Sequence, residues 1–124
     1  MFQPGEIVQA AFLQAAFPFS DLTASKRRPC LILACCDSPD DFIVAFITSS
    51  ATAPSGRHSI GVPFTHPEWR KTGLKVPSII RADKIPTLHT SVISGAIGIL
   101  PEDLMTLVQQ TLQKLLWPIP KPRT

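Results

Sequence analysis

Three short polar clusters interrupt apolar stretches of the chain, and their side chains are of types that can act on a phosphodiester. The first is Ser25-Lys26-Arg27-Arg28, which runs into Pro29 and the apolar Cys30-Leu31-Ile32-Leu33. Arginine stays charged at neutral pH and offers five fixed donors, a fork that fits a phosphate. Pro29 fixes its own φ and biases Arg28 toward an extended conformation. A proline at the first residue of a strand costs no ladder bond. Arg28 is therefore expected where a polar loop enters a buried strand. The second cluster is Thr48-Ser49-Ser50, and the third is Arg81-Ala82-Asp83, each at the end of an apolar run. In a small barrel such strand ends converge on one rim. Two arginines there would hold a phosphate and stabilise the extra charge of a pentavalent transition state. Hydroxyls would donate to its non-bridging oxygens and keep the substrate in line, and a carboxylate can take the proton of an attacking ribose 2′-OH.

Each cluster also has a simpler reading. Lys26 to Arg28 reads as a solvated basic turn. Arg81 and Asp83 are two apart, share a face in a regular strand and can pair with each other, a surface interaction of about 0–1 kcal/mol. Thr48 reads as a β-branched strand residue and Ser49 as a turn former. Taken singly, the simpler reading is the stronger one, and spacing alone defines a small β-rich domain able to bind an anion.

The elements that must position these groups are legible from periodicity. Glu6-Ile7-Val8 begins a strand. Gln9-Ala10-Ala11-Phe12 then recurs as Gln14-Ala15-Ala16-Phe17 after Leu13, a short tandem duplication. Pro18 to Arg28 reads as a loop, Leu31 to Cys36 as a buried strand and Asp37 to Asp41 as a turn. Phe42 to Thr48 is the strongest strand signal. Ser49 to Arg57 reads as a small-residue loop and Ser59 to Phe64 as a short strand. Thr65 to Lys75 reads as a polar segment anchored by Trp69, and Val76 to Ala82 as a strand. Pro86 and Thr87 form a turn, Thr90 to Ile99 is weakly apolar, and its last strand reads as Ala96-Ile97-Gly98-Ile99-Leu100, where glycines mark a bend or bulge. Pro101-Glu102-Asp103 starts a helix with Leu104, Leu107, Val108, Thr111, Leu112, Leu115 and Leu116 at helical spacing, and Pro118 stops it. Many short strands and one terminal helix predict a mainly β protein with helical parts (α+β), a small bent antiparallel sheet or barrel with the helix packed on its open end.

With 124 residues and 44% hydrophobic content, one domain is expected, over residues 1–117, followed by a proline-rich tail over 118–124. A net charge of +3 permits a nucleic-acid partner without demanding one. Three cysteines make no disulfide framework; Cys30, Cys35 and Cys36 read as small buried hydrophobes in a reducing cytoplasm. His58, His66 and His89 are isolated, the acids are scattered, and no spacing matches a metal site, so no metal or cofactor is expected. The N-terminus lacks the pattern of a signal peptide, and no apolar run is long enough to span a membrane.

In order along residues 5–116, Gly5-Glu6-Ile7-Val8, Phe17-Pro18-Phe19-Ser20-Asp21-Leu22, Lys26-Arg27-Arg28-Pro29, Ile47-Thr48-Ser49 and Ile80-Arg81-Ala82-Asp83-Lys84-Ile85 precede a closing helix. This series resembles the MazF/PemK family of toxins, members of toxin–antitoxin pairs. The resemblance implies an SH3-like barrel, a homodimer, a cognate antitoxin partner, a cytoplasmic location and metal-independent cleavage of single-stranded RNA. The implied reaction is attack by the 2′-OH, leaving a 2′,3′-cyclic phosphate and a 5′-OH. Carried over by position, Arg28 and Thr48 match catalytic residues, and Arg81 and Asp83 match an acid–base pair of the PemK/Kid branch. Ser49 matches a phosphate-contacting hydroxyl, and Lys26, Arg27 and Ser50 flank these as further phosphate-binding candidates.

Two departures stand out. Some family members carry a His or Glu in the loop before the Arg-Pro; this chain offers Ser25, Lys26 and Arg27, which leaves the proton-transfer groups open. The duplication adds five residues, an odd number that would exchange inside and outside faces of a continuous strand unless a bulge, turn or longer loop absorbs it. Two non-catalytic alternatives remain: a member of the same fold that binds a protein target in the manner of gyrase poisons, and a degenerate toxin kept as a binding partner. The four-residue set Arg28, Thr48, Arg81 and Asp83 favours the nuclease.

Overall fold

A computed structural model describes residues 1–13, 25–49 and 56–120. Among the described residues seven strands, β1 (Glu6–Leu13), β2 (Ser25–Cys35), β3 (Asp41–Ser49), β4 (Ser59–Val62), β5 (Ser78–Arg81), β6 (Thr87–His89) and β7 (Ile93–Ile99), precede one helix, α1 (Glu102–Leu116). Short 3₁₀ turns lie at Trp69–Thr72 and Thr90–Val92. The strands form one antiparallel sheet in the order β4-β5-β3-β2-β1-β7, with β6 pairing the start of β3. The ladders carry bulges between Ile7 and Val8 and between Gln9 and Ala10 where β1 meets β7, and between Ile32 and Ala34 where β2 meets β3. Among the described residues β4 and β7 do not pair, so the sheet stays open.

The central strands are apolar on both sides because both faces of the sheet are covered. On one face Ile7, Leu31, Ala45, Ile47 and Ile80 pack with Leu104 and Val108 of the helix. On the other, Val8, Ala10, Cys30, Ile32, Phe42 and Val44 form a second cluster, with the Phe2 ring edge-on to Phe42 at 5.7 Å. Each fully buried large aliphatic side chain contributes about 1.5–3 kcal/mol. Two-sided burial makes β1 to β3 read as continuous rather than alternating runs.

Several expectations need correction. Ser25 to Arg28 is strand, not loop: it pairs with Ala10 to Leu13 of β1. Polar side chains do not stop an extended backbone whose ladder bonds are made. The proposed turn at Pro86-Thr87 runs into β6, a strand too short to show a period and recruited by the exposed start of β3. The apolar stripe of α1 is narrower than its spacing suggests. Leu104 and Val108 are buried, with Met105 and Leu112 packed beside them, whereas Leu107 and Leu116 are each 47% exposed. The helix start is as expected, with Pro101 at its N-cap and Glu102 and Asp103 in the first turn. Cys30 is buried and burial pushes its thiol up to about 12, but Cys35 is exposed and Cys36 half-buried.

His66 is not isolated. Its Nδ1 accepts the Glu68 backbone N–H at 3.0 Å, which leaves the ring proton on Nε2. Nε2 then donates to the Asp103 carboxylate, 2.9 and 3.1 Å from its two oxygens. This contact ties the segment carrying Trp69 to the first turn of α1, and it holds Asp103 below its ordinary carboxylate range. A carboxylate depressed in the folded state stabilises the fold above its unfolded pKa, about 3.9, and the contribution is lost as pH falls through the folded value. Asp103→Ala is therefore expected to melt below the wild type at pH 7, with the difference shrinking at pH below about 4. Melting curves of both proteins across that range check it; a difference independent of pH would assign the loss to something other than the carboxylate. Among the described residues no helix is long and apolar enough to cross a membrane.

Candidate active site

The site is built by strand register. Cys30 of β2 pairs with Phe46 of β3, and Phe46 pairs with Arg81 of β5. Directly paired residues project to the same side of a sheet, and so do residues two apart in one strand. Arg28, two before Cys30, and Thr48, two after Phe46, therefore lie on the face that carries Arg81, and both lie toward the same end of the sheet. Thr48 itself pairs with Ile79, two residues before Arg81. Arg28 is exposed and Thr48 half-buried.

Pro29 sits where it does little harm. It pairs with Gln9 of β1, while the ladder from β2 to β3 begins only at Cys30. The residue that lacks an N–H stands where β2 has a partner on one side only. The extended Arg28 expected from Pro29 is present, inside a strand rather than at its mouth.

Arg81 and Asp83 pair as their spacing allows. Arg81 Nε donates to Asp83 Oδ1 at 3.0 Å and Nη2 to Oδ2 at 2.9 Å, a two-pronged contact that engages both carboxylate oxygens. The side chains remain 33% and 37% exposed. The hydrogen bond from Arg81 holds the Asp83 carboxyl below its ordinary range, and the same contact raises the Arg81 guanidinium further.

Opposite-facing residues of the same strand ends line a second concavity. Ser49 pairs with Ser78, and both line a cleft of about 410 Å³ with Gln9, Lys26, Arg27, Arg28 and Lys75. Arg28 thus lies at the boundary between this basic cleft and the face of Thr48 and Arg81. Of the phosphate-binding candidates, Lys26, Arg27 and Ser49 share this cleft with Arg28, whereas Arg81 and Asp83 lie outside it. Ser50 and the second copy of the duplication, Gln14 to Phe17, lie outside the described residues.

Lys75 and Ser78 were not singled out by the sequence, and neither was His58. The His58 backbone carbonyl accepts the Ala82 N–H at 2.9 Å, and Ser59 pairs with Arg81. His58 and Arg57 share an open cleft of about 600 Å³ with Ser59, Arg81 and Asp83. The pairing of β4 with β5 was the signal that could have located His58. Among the described residues no group of three or more His, Cys, Asp or Glu is placed to hold a metal ion.

Comparisons with known proteins agree with this architecture. No curated protein matches the chain. Solved structures do. An endoribonuclease from a mycobacterial species, in complex with its cognate antitoxin, superposes with a TM-score of 0.66 at 17% identity, covering 98% of this chain and 100% of its own. The toxin MazF-mt6 of Mycobacterium tuberculosis gives 0.64 at 19% identity, with 90% of this chain and 95% of that one covered. MazF in a MazE-MazF structure from Deinococcus radiodurans gives 0.65 at 20%, covering 92% and 93%. At these identities the likeness shows the fold. A family model for the PemK-like, MazF-like toxin of type II toxin-antitoxin systems matches residues 3–116. The chain belongs to the PemK-like, MazF-like family of type II toxin–antitoxin toxins.

Proposed function

We propose that this toxin is an endoribonuclease that cleaves single-stranded RNA through attack of a ribose 2′-OH on the adjacent phosphorus, leaving a 2′,3′-cyclic phosphate and a 5′-OH. The observation that carries the reading is the register that gathers Arg28, Thr48 and Arg81 on one face. Arg28 binds the scissile phosphate and meets the charge that develops on it, and Thr48 donates to a non-bridging oxygen. Arg81, oriented by Asp83, adds positive charge from the neighbouring strand. Lys26, Arg27 and Ser49 hold flanking phosphates in the basic cleft. Binding of this kind weakens as salt rises.

The chain acts as a homodimer in the cytoplasm, and a cognate antitoxin controls it. An acidic antitoxin segment laid across Lys26 to Arg28 would exclude RNA through the same charges. The mycobacterial endoribonuclease bound by its cognate antitoxin and the MazE-MazF structure from Deinococcus support this reading. The test is incubation of the purified chain with single-stranded RNA in EDTA. Fragments ending in a 2′,3′-cyclic phosphate and beginning with a 5′-OH are expected. RNA left intact would reject the nuclease, and fragments ending in a 3′-OH would reject the chemistry.

A further inference from the structure

Asp83 is a weak base, because the two-pronged contact from Arg81 holds its carboxyl in the ionised form. The geometry points to His58 as the general base of this site, accepting the proton of the attacking 2′-OH while the paired Asp83 carboxylate stabilises the imidazolium that forms. This rests on the ribonuclease reading above. Three observations carry it. His58 lines the same open cleft as Arg81 and Asp83. Its backbone is fixed there by the Ala82 N–H, and Ser59, the next residue, is registered opposite Arg81. Its positive form lies close enough to Asp83 to favour the ionised carboxylate.

Histidine is the side chain most often used to take a proton in general base catalysis. Asp83, held in its ionised form, is a weak base, and Arg81 is a weaker acid for the same contact. A carboxylate that stays charged near an imidazole offsets the charge the imidazole gains. Among the described residues, the charged groups sharing the cleft with His58 are Arg57 beside it in the chain, and Arg81 and Asp83 from the β5 side.

The step balances. The 2′-oxygen forms a bond to phosphorus as its proton passes to the imidazole. The bond from phosphorus to the 5′-oxygen breaks, and that oxygen takes a proton from a water of the open cleft. The hydroxide left behind is neutralised by the imidazolium, which restores His58.

The test compares the full-length wild type with His58→Ala and His58→Gln on single-stranded RNA in EDTA. The Ala82 bond uses the His58 backbone carbonyl, so both variants keep it. General base loss predicts a fall in kcat of about 10²–10⁴-fold with KM little changed. The acid limb of the wild-type pH–rate profile should vanish in both variants, and added imidazole should restore part of the rate to His58→Ala. Full activity with an unchanged pH profile in either folded variant overturns the role of His58 and leaves the nuclease standing. A loss that imidazole does not rescue and that leaves the pH profile intact overturns it as well, assigning His58 a structural part. No cleavage by the wild type at any pH overturns both readings.

Discussion

Arg28→Ala is expected to lower kcat/KM for RNA cleavage by about 10²–10³-fold while the chain remains folded, and Thr48→Ala to do nearly the same. Both side chains are preorganised by strand register rather than by a loop. Arg28 is held by its pairing with Ala10 and by the conformational bias of Pro29, and Thr48 by its pairing with Ile79. A donor fixed in this way meets developing charge without reorganising, so its loss falls on the transition state and shows in kcat. Arg28 is exposed, so removing it should leave the melting temperature within a few degrees of wild type. Initial rates on single-stranded RNA in EDTA, with melting curves alongside, check both expectations. Wild-type cleavage by a folded Arg28→Ala protein would sink the assignment.

A large loss of stability is expected at a residue that contributes no side chain. Gly98 of β7 lies against the backbone of the 3₁₀ turn at Trp69–Thr72, and an added Cβ would overlap the carbonyls of Lys71 and Thr72. Overpacking costs about 1–3 kcal/mol where flexible side chains can yield. Here the neighbour is backbone, tied at one end by Gly73, whose φ of +69° places it in the left-handed region. Gly98→Ala is therefore expected at the upper end, about 3 kcal/mol, or roughly 10 °C in melting temperature for a domain of this size. Urea unfolding with an unchanged slope measures it. A loss under about 0.5 kcal/mol, the range of an ordinary surface substitution, would mean that the turn can move away from β7.

Local rules made part of this molecule legible. The Pro29 bias on Arg28, the β-branched run into Thr48, the acids after Pro101 and the two-residue spacing of Arg81 and Asp83 each act within a few residues, and each has the conformation or contact that its local chemistry favours. What stayed hidden depends on which strands become neighbours. His58 reaches Arg81 and Asp83 only because β4 lies beside β5, and His66 meets Asp103 only because the segment before Trp69 folds back onto α1. Leu107 and Leu116 obey the helical period yet stay exposed, since a period gives the direction of a face but not the width of what covers it. The glycines of β7 looked like marks of a bend. The bulges are there, but Gly98 is required by a backbone that packs on it from a distant part of the chain.

The pairing of β1 with β7 stops at Ala10, and that of β2 with β3 begins at Cys30, while β1 and β2 stay paired to each other as far as Leu13 and Ser25. The basic residues Lys26 to Arg28 thus ride on a two-stranded arm that runs past the rest of the sheet. Registers that set inside and outside are fixed at its base, by Ile7 against Leu31 and Leu31 against Ala45. Any change of length between Leu13 and Ser25 falls beyond the last described pair of the arm. The duplication in this sequence reaches just such a place. An odd insertion that would be ruinous in a central strand can arise there without inverting the core, which gives selection a way to reshape what approaches the arginines while the strands of the sheet keep their partners.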